Sequence, residues 1–243
     1  MRTLKLTLSY DGTDFAGWQR QKGTRTVQAV LEQAFRQILN QSIRVVAAGR
    51  TDSGVHAIGQ VVHAIIRSKM PLPILHKALN AVLPEDAVIA SIRVAPQKFH
   101  AQYTAKTKWY RYTIWNQPMR PLFNRNYVLQ VPVRLNVAAM RQAARLLQGR
   151  HDFKAFHSSG RLVRSTVRTL HSLTIRQSKG TLQIDAKADG FLYHMVRRIA
   201  GLLIQVGQGK VKPSSIQDLL HGKKNLIAPT SLAKGLCLMK VQY

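Results

Sequence analysis

The stretch Gly49-Arg50-Thr51-Asp52-Ser53-Gly54-Val55-His56-Ala57, written GRTDSGVHA, sets a carboxylate between a guanidinium and an imidazole, inside a pair of glycines. Two chemistries suit that spacing. An aspartate between glycines can close a turn by bonding its own backbone. A carboxylate near an arginine is held in its ionised form, and can act as a base or as a nucleophile that forms a covalent adduct. The acid stands out because the chain carries only ten Asp and Glu against 37 Lys and Arg, a net charge of +27.

Other chemistries lack their parts. Two-metal nucleases need clustered carboxylates, and the two Glu and eight Asp here are not at metal-ligand spacing. Zinc deaminases need Pro-Cys-x-x-Cys, which the single cysteine, Cys237, excludes, along with any intrachain disulfide. Gly-x-x-x-x-Gly-Lys-Ser/Thr, Gly-x-Gly-x-x-Gly and Gly-x-Ser-x-Gly are absent, so nucleotide-cofactor and serine-hydrolase sites are not expected. The charge points to a polyanionic partner, nucleic acid foremost, with binding that weakens steeply as salt rises. One cysteine suits a reducing compartment. The N-terminus MRTLKLTLSYDG lacks the apolar stretch of a secretory signal, and no apolar run is long enough to span a membrane. A cytoplasmic protein is expected.

The elements that must position Asp52 follow from periodicity. Leu4, Leu6, Leu8 and Tyr10 alternate with polar residues as in a half-buried strand. Val27, Val30, Leu31, Ala34, Phe35, Ile38 and Leu39 form one helical stripe. Residues 43–47 and 61–66 read as strands with GRTDSGVHA between them, and prolines 71, 73 and 84 bracket a second helix. A strand over 88–94 closes the first half. In the second half a strand puts Tyr110 and Tyr112 on one face and Arg111 on the other. A helix follows Asn136 as its cap, with Leu135 and Met140 at staple positions. A hairpin turns at Ser178-Lys179-Gly180, and a largely buried helix carries Met195, Ile199, Leu202, Leu203 and Val206. Shorter elements over 216–220 and 236–243 end the chain. Each half mixes strands with two helices. The expected fold class is therefore α+β: two similar α/β halves, with mixed, mainly antiparallel sheets and helices on one face, flanking a positively charged central active-site cleft. The N-terminal half, 1–104, carries the Asp loop; the C-terminal half, 105–243, carries the Tyr strand and the Arg helix.

GRTDSGVHA resembles the signature of the tRNA pseudouridine synthase A family. The likeness extends in family order through DGTDFAGWQRQ, FHAQYTAKTKWYRYTIWN, DFKAFHSSG with VRTL, FLYHMVRRIAG and APTSLAKGLCLMKVQY, nearly the whole chain. The resemblance implies two ferredoxin-like halves and an isomerase that converts uridine to pseudouridine in the anticodon arm of tRNA, at positions 38, 39 and 40. It implies a homodimer and neither metal nor organic cofactor. By matching position, Asp52 is the nucleophile, attacking either sugar or base, and Arg50 fills the hole left by the flipped uridine. Tyr110 stacks on the uracil and is a candidate base for the C5 proton, although strand spacing alone does not separate it from Tyr112. Arg197 pairs with the catalytic aspartate. Helical geometry alone does not select it, since it lies roughly 200° round from Met195, and Arg198 is expected to be solvated. Leu236 matches an apolar pocket residue. Glycoside hydrolysis uses two carboxylates because water must be activated; an isomerase adds no water, so one suffices, in keeping with an acid-poor chain. Arg20, Lys22, Lys106, Lys108 and Arg111 are the candidate phosphate contacts. Gln102 and Thr166 depart from the family's usual Arg and Pro. The competing readings are an RNA-binding protein or chaperone without activity, and a uridine glycosylase.

Overall fold

The computed structural model describes residues 1–158, 163–223 and 228–243. The last two residues of DFKAFHSSG lie outside them. Ten strands and five α-helices are described, and every recorded strand pairing but one is antiparallel. The fold is thus α+β. Among the described residues no helix is long and apolar enough to cross a membrane.

In chain order, the first part runs β1 (Arg2–Tyr10), α1 (Val27–Leu39), β2 (Val45–Ala47), β3 (His56–Ile66), α2 (Leu72–Val82) and β4 (Ala87–Ala95). The second part runs β5 (Thr107–Trp115), β6 (Leu129–Gln130), α3 (Val137–Leu147), β7 (Gly149–Asp152), β8 (Val167–Ser178), β9 (Thr181–Ala188), α4 (Met195–Gly207) and α5 (Ser215–Leu220). β10 (Leu236–Gln242) ends the chain. Two compact units result, one of Met1–Lys106 with Leu238–Tyr243 and one of Thr107–Cys237. The last six residues were expected with the second half; they cluster with the first instead. The reason is pairing: β10 neighbours β3, and an added Cβ at Gly59 would lie 2.4 Å from the Met239 carbonyl oxygen.

In the first unit the sheet order is β4-β1-β3-β10, with β2 on β3. Leu4, Leu6 and Leu8 pair with Ala64, Val62 and Gln60, so alternate residues of both strands share one buried face. Helix α1 buries the predicted stripe through Val27, Leu31, Ala34 and Phe35. Thr26 caps it by accepting from the Ala29 N–H, and Asn40 ends it with φ 50°. β3 begins at His56, five residues before the strand expected from sequence, and so starts inside the motif itself.

In the second unit the order is β5-β9-β8-β7, with β6 parallel to β5. Asn136 caps α3 by accepting from the Ala139 N–H at 3.0 Å. Lys179 and Gly180, with φ 42° and 78°, form the two-residue turn between β8 and β9, and two positive φ values suit the right-handed strand twist.

Candidate active-site elements

In the first unit the Asp52 loop is fixed through its backbone. The Ala48 N–H donates to the Val61 oxygen at 2.8 Å, and the Trp18 N–H donates to the Thr51 oxygen at 3.0 Å. The Thr51 side chain is buried and its hydroxyl pairs with the Tyr10 hydroxyl at 2.8 Å. Gln60, with 0% exposure, donates to the Gly49 oxygen at 2.8 Å. Past the acid, the Val55 N–H returns to the Asp52 oxygen at 3.2 Å, and the Gly54 N–H reaches the Phe15 oxygen at 3.3 Å. Arg50 is exposed, Thr51 buried and Asp52 half-buried. These anchors sit on both sides of the acid and fix the backbone that carries it.

DGTDFAGW lies against this loop, and its glycines make the approach. A Cβ at Gly12 would stand 2.1 Å from the Val55 oxygen, and one at Gly17 2.7 Å from the Thr51 oxygen. Gly17 also has φ +88°, in the left-handed region that favours glycine. The Gly12 N–H donates to His56 Nδ1 at 3.0 Å, so the motif's histidine holds the neighbouring loop. Tyr10, Gly12, Gly17 and Gln60 are the positioning residues that reading the motif alone does not select. Their one signal in sequence is that a second glycine-spaced loop, DGTDFAG, precedes the first.

In the second unit Tyr110 is 7% exposed and meets Phe191 edge-on, with ring centroids 5.2 Å apart. Tyr112 is fully buried and its hydroxyl donates to the Leu232 oxygen at 2.8 Å. Burial pushes its phenol well above the usual range, only partly offset by Ser231 and by the charge of Arg197. Tyr112 is thus core, and Gly235 packs on its ring: a Cβ there would come within 2.8 Å of Cζ. Leu236, next in chain, is 5% exposed at the start of β10.

Arg197 lies half-buried in the first turn of α4. Its Nε donates to the Ser231 oxygen at 2.8 Å, and the Ser231 N–H returns to the Arg197 oxygen at 3.2 Å. Arg198 is not the solvated neighbour expected. Its Nη1 donates to the oxygens of Ala155 at 3.2 Å and His157 at 3.0 Å, and burial lowers its pKa. His194, just before the helix, adopts φ 63°, a left-handed conformation uncommon outside glycine that marks a constrained turn.

The candidate phosphate contacts fall into different settings. Lys22 and Lys106 are exposed, as is Arg20, whose Nη1 pairs with Glu32 at 3.2 Å. Arg111 does not project freely, as a phosphate contact would. Its Nε and Nη2 donate to Asp185 at 2.9 and 3.2 Å, because Asp185 is 4% exposed and needs donors. Trp109 Nε1 and Arg176 complete that set at 2.8 and 2.6 Å. Burial pushes the Asp185 carboxyl up, yet these donors outweigh it and hold it below its usual range. Lys108 is half-buried, and burial, then the charge of Arg168, lowers its ammonium to about 8. Gln102 is exposed and Thr166 accepts from the Phe153 N–H at 3.1 Å.

Comparison with known sequences agrees with the motif order. Residues 7–104 and 143–243 match the profile of a family described as tRNA pseudouridine synthase. Over 245 residues the chain is 42% identical to the tRNA pseudouridine synthase A of Ruminiclostridium cellulolyticum, with all of both chains covered. It is 43% identical over 247 residues to that of Moorella thermoacetica, again with both chains fully covered. With that of Geobacillus kaustophilus it shares 41% identity over 242 residues, 99% of this chain and 94% of the relative.

Proposed function

The chain belongs to the tRNA pseudouridine synthase family, and from that premise we propose how it isomerises uridine to pseudouridine in tRNA and which side chains carry the reaction. The observation that carries the reading is the loop itself, an acid half-buried beside a threonine gripped from two sides. Asp52 is the nucleophile. The N1–C1′ bond breaks and the uracil takes its electron pair. The ring turns, a C5–C1′ bond forms, and the C5 proton leaves as N1 gains one. The carboxylate oxygen bonds either to the electron-poor C1′ as the uracil leaves or to C6 of the uracil beforehand, and that C–O bond breaks again before the product is released, which returns Asp52 unchanged. No atom is added or lost, so a second carboxylate for activating water has no role.

Arg50, exposed on the flank of the loop, takes the place of the flipped base, where a planar cation can stack and bond. Extrusion costs a few kcal/mol, and such a substitute offsets part of it. Tyr110 stacks on the uracil and is the candidate base for the C5 proton; the buried, carbonyl-bound Tyr112 is core, which favours Tyr110 of the pair. Arg197, oriented by its Ser231 bond, balances the Asp52 charge. Leu236 contributes an apolar wall. The substrate region is the anticodon arm, positions 38, 39 and 40, worked on by a cytoplasmic homodimer. Lys22 and Lys106 are the exposed cations that support the RNA grip.

Tritium release from C5-labelled uridine in tRNA tests the assignment. Wild type should release tritium and leave the strand intact, whereas Asp52→Asn should fold, bind tRNA and release none. Normal release by Asp52→Asn would sink the assignment, and free uracil with an abasic site would mean a glycosylase.

A further inference from the structure

Lys108 and Arg168 are cations without acids. Lys108 lies on β5 two residues before Tyr110, on the same face by strand alternation. It pairs in register with Ala188, which pairs in turn with Leu170 of β8, two residues from Arg168. The charge of Arg168 acts on Lys108 directly. Arg168 is itself pinned: its Nη1 donates to the Ser165 oxygen at 3.0 Å and the Val167 oxygen at 2.6 Å. Its Nε would stand 3.5 Å from a Cβ on Gly190, the residue before the Phe191 that meets Tyr110.

Among the described residues neither cation forms an ion pair. The eight residues outside them, SGRL and KNLI, contain no acid. Of the neighbouring charged groups, Asp189, just past the end of β9, turns both oxygens to the Thr169 N–H at 3.1 Å, and Lys187 on β9 lies over the Trp109 ring at 5.1 Å. Charges withdrawn in part from solvent, as these two half-buried cations are, are normally paired, and the same unit pairs Asp185 with two arginines. Two cations side by side with no counter-charge are the reverse, and their missing partner is an anion from outside.

We propose that Lys108 and Arg168 form a phosphate clamp that grips the RNA backbone beside the nucleotide whose base meets Tyr110. The proposal rests on the tRNA-modifying reading for the identity of the anion. It adds a ligand, a phosphodiester, and a residue, Arg168, that charge counting does not select. Arg168 supplies a fixed guanidinium and Lys108 a point charge whose burial strengthens the contact.

The test measures binding of fluorescently labelled tRNA against salt, independently of turnover. Lys108→Met replaces a half-buried charge with an apolar chain of similar length, so it should melt at a higher temperature than wild type. It should nevertheless bind tRNA about tenfold more weakly, with a log–log salt slope shallower by about one. Arg168→Met should show the same loss, and Lys108→Arg should restore binding. A neutral methylphosphonate next to the target uridine should weaken binding to wild type but add nothing to the loss in Lys108→Met. Wild-type affinity and slope in a folded Lys108→Met would overturn the clamp, as would Lys108→Arg binding as weakly as Lys108→Met. Absence of tritium release by wild type, with the slope change intact, would instead sink the pseudouridine reading and leave the clamp standing.

Discussion

Asp185 and Asp52, two of the few acids in this chain, show two kinds of support, one at the carboxylate and one in the backbone that carries it. Around Asp185 the donors converge on the carboxylate: Trp109, Arg111 and Arg176 all reach its oxygens. Around Asp52 the fixing falls on the backbone before and after it, through Ala48, Thr51, Gly54 and Val55. A structural acid is neutralised where it lies, which stabilises β5 against β9. A reacting acid must be presented at one place, and the bonds of the backbone on both sides of Asp52 fix where that is. The same contrast separates the cations. Arg111 shares in the Asp185 cluster, while Lys108, three positions earlier, forms no ion pair among the described residues.

Exchanging the acids for amides should break this comparison cleanly. Asp52→Asn should lower tritium release by about 10⁴-fold or more, since a covalent step loses its nucleophile, and should cost activity far more than stability. Asp185→Asn should do the opposite. Stranding two guanidiniums beside a neutral amide costs about 3–5 kcal/mol, or roughly 6–20 °C in a chain of this size, with turnover per folded molecule retained. If Asp185→Asn loses turnover and not stability, the two acids have been assigned the wrong way round. Next in size is Gly17→Ala, whose Cβ would press on the Thr51 oxygen at 2.7 Å. Displacing the loop by an ångström should cost on the order of 100-fold in single-turnover rate, beyond any loss of stability. A normal rate from Gly17→Ala would show that the loop does not depend on this approach.

What sequence made legible was local. The α1 stripe, the Thr26 and Asn136 caps and the Ser178–Thr181 hairpin are set by residues a few positions apart, and periodicity reads such spans well. Asp52 was visible as a motif, but its support was not. Tyr10 and Thr51 are 41 positions apart and Gln60 and Tyr10 are 50 apart, so only the folded sheet brings them together. The departure of Leu238–Tyr243 to the first unit has the same origin, since β10 neighbours β3 and passes close to Gly59. Basic residues were the least legible. Lys22, Lys108 and Arg111 count alike in composition, yet one is exposed, one half-buried beside Arg168 and one ion-paired.

The burial of Lys108 should be visible in stability against pH. Its ammonium is lowered from 10.5 to about 8 in the folded chain. Between those values the unfolded chain holds the proton and the folded chain does not, so stability rises with pH through that window. The full rise is about 3 kcal/mol. Above about pH 10 the phenols of Tyr112 and Tyr243, both raised by burial, act in the opposite sense, so the clear range is pH 8 to 10. Lys5, also lowered by burial, adds to the rise; the difference between wild type and Lys108→Met isolates Lys108. Denaturant melts of the two at pH 7 and pH 10 should converge as pH increases, with the variant the more stable at pH 7. Parallel curves would mean that Lys108 keeps its charge, and would remove the contrast with Arg111.

The smallest effect sharpens the contrast most. Tyr10→Phe removes only the hydroxyl that pairs with Thr51 at 2.8 Å and receives Gln60 Nε2 at 3.4 Å. In a structural role its loss would equal one buried hydrogen bond, about 1 kcal/mol, or some 2–4 °C in melting temperature. If Thr51 positions Asp52, the rate should fall more than the stability. A carboxylate released from its near-attack placement loses rate steeply with distance, so roughly tenfold slower tritium release should accompany that small shift. Thr51→Val should then slow the reaction similarly, and the double variant should be little worse than either, because both remove the same contact. Additive losses, or a rate unchanged in Tyr10→Phe, would show that the Tyr10–Thr51 pair does not position Asp52.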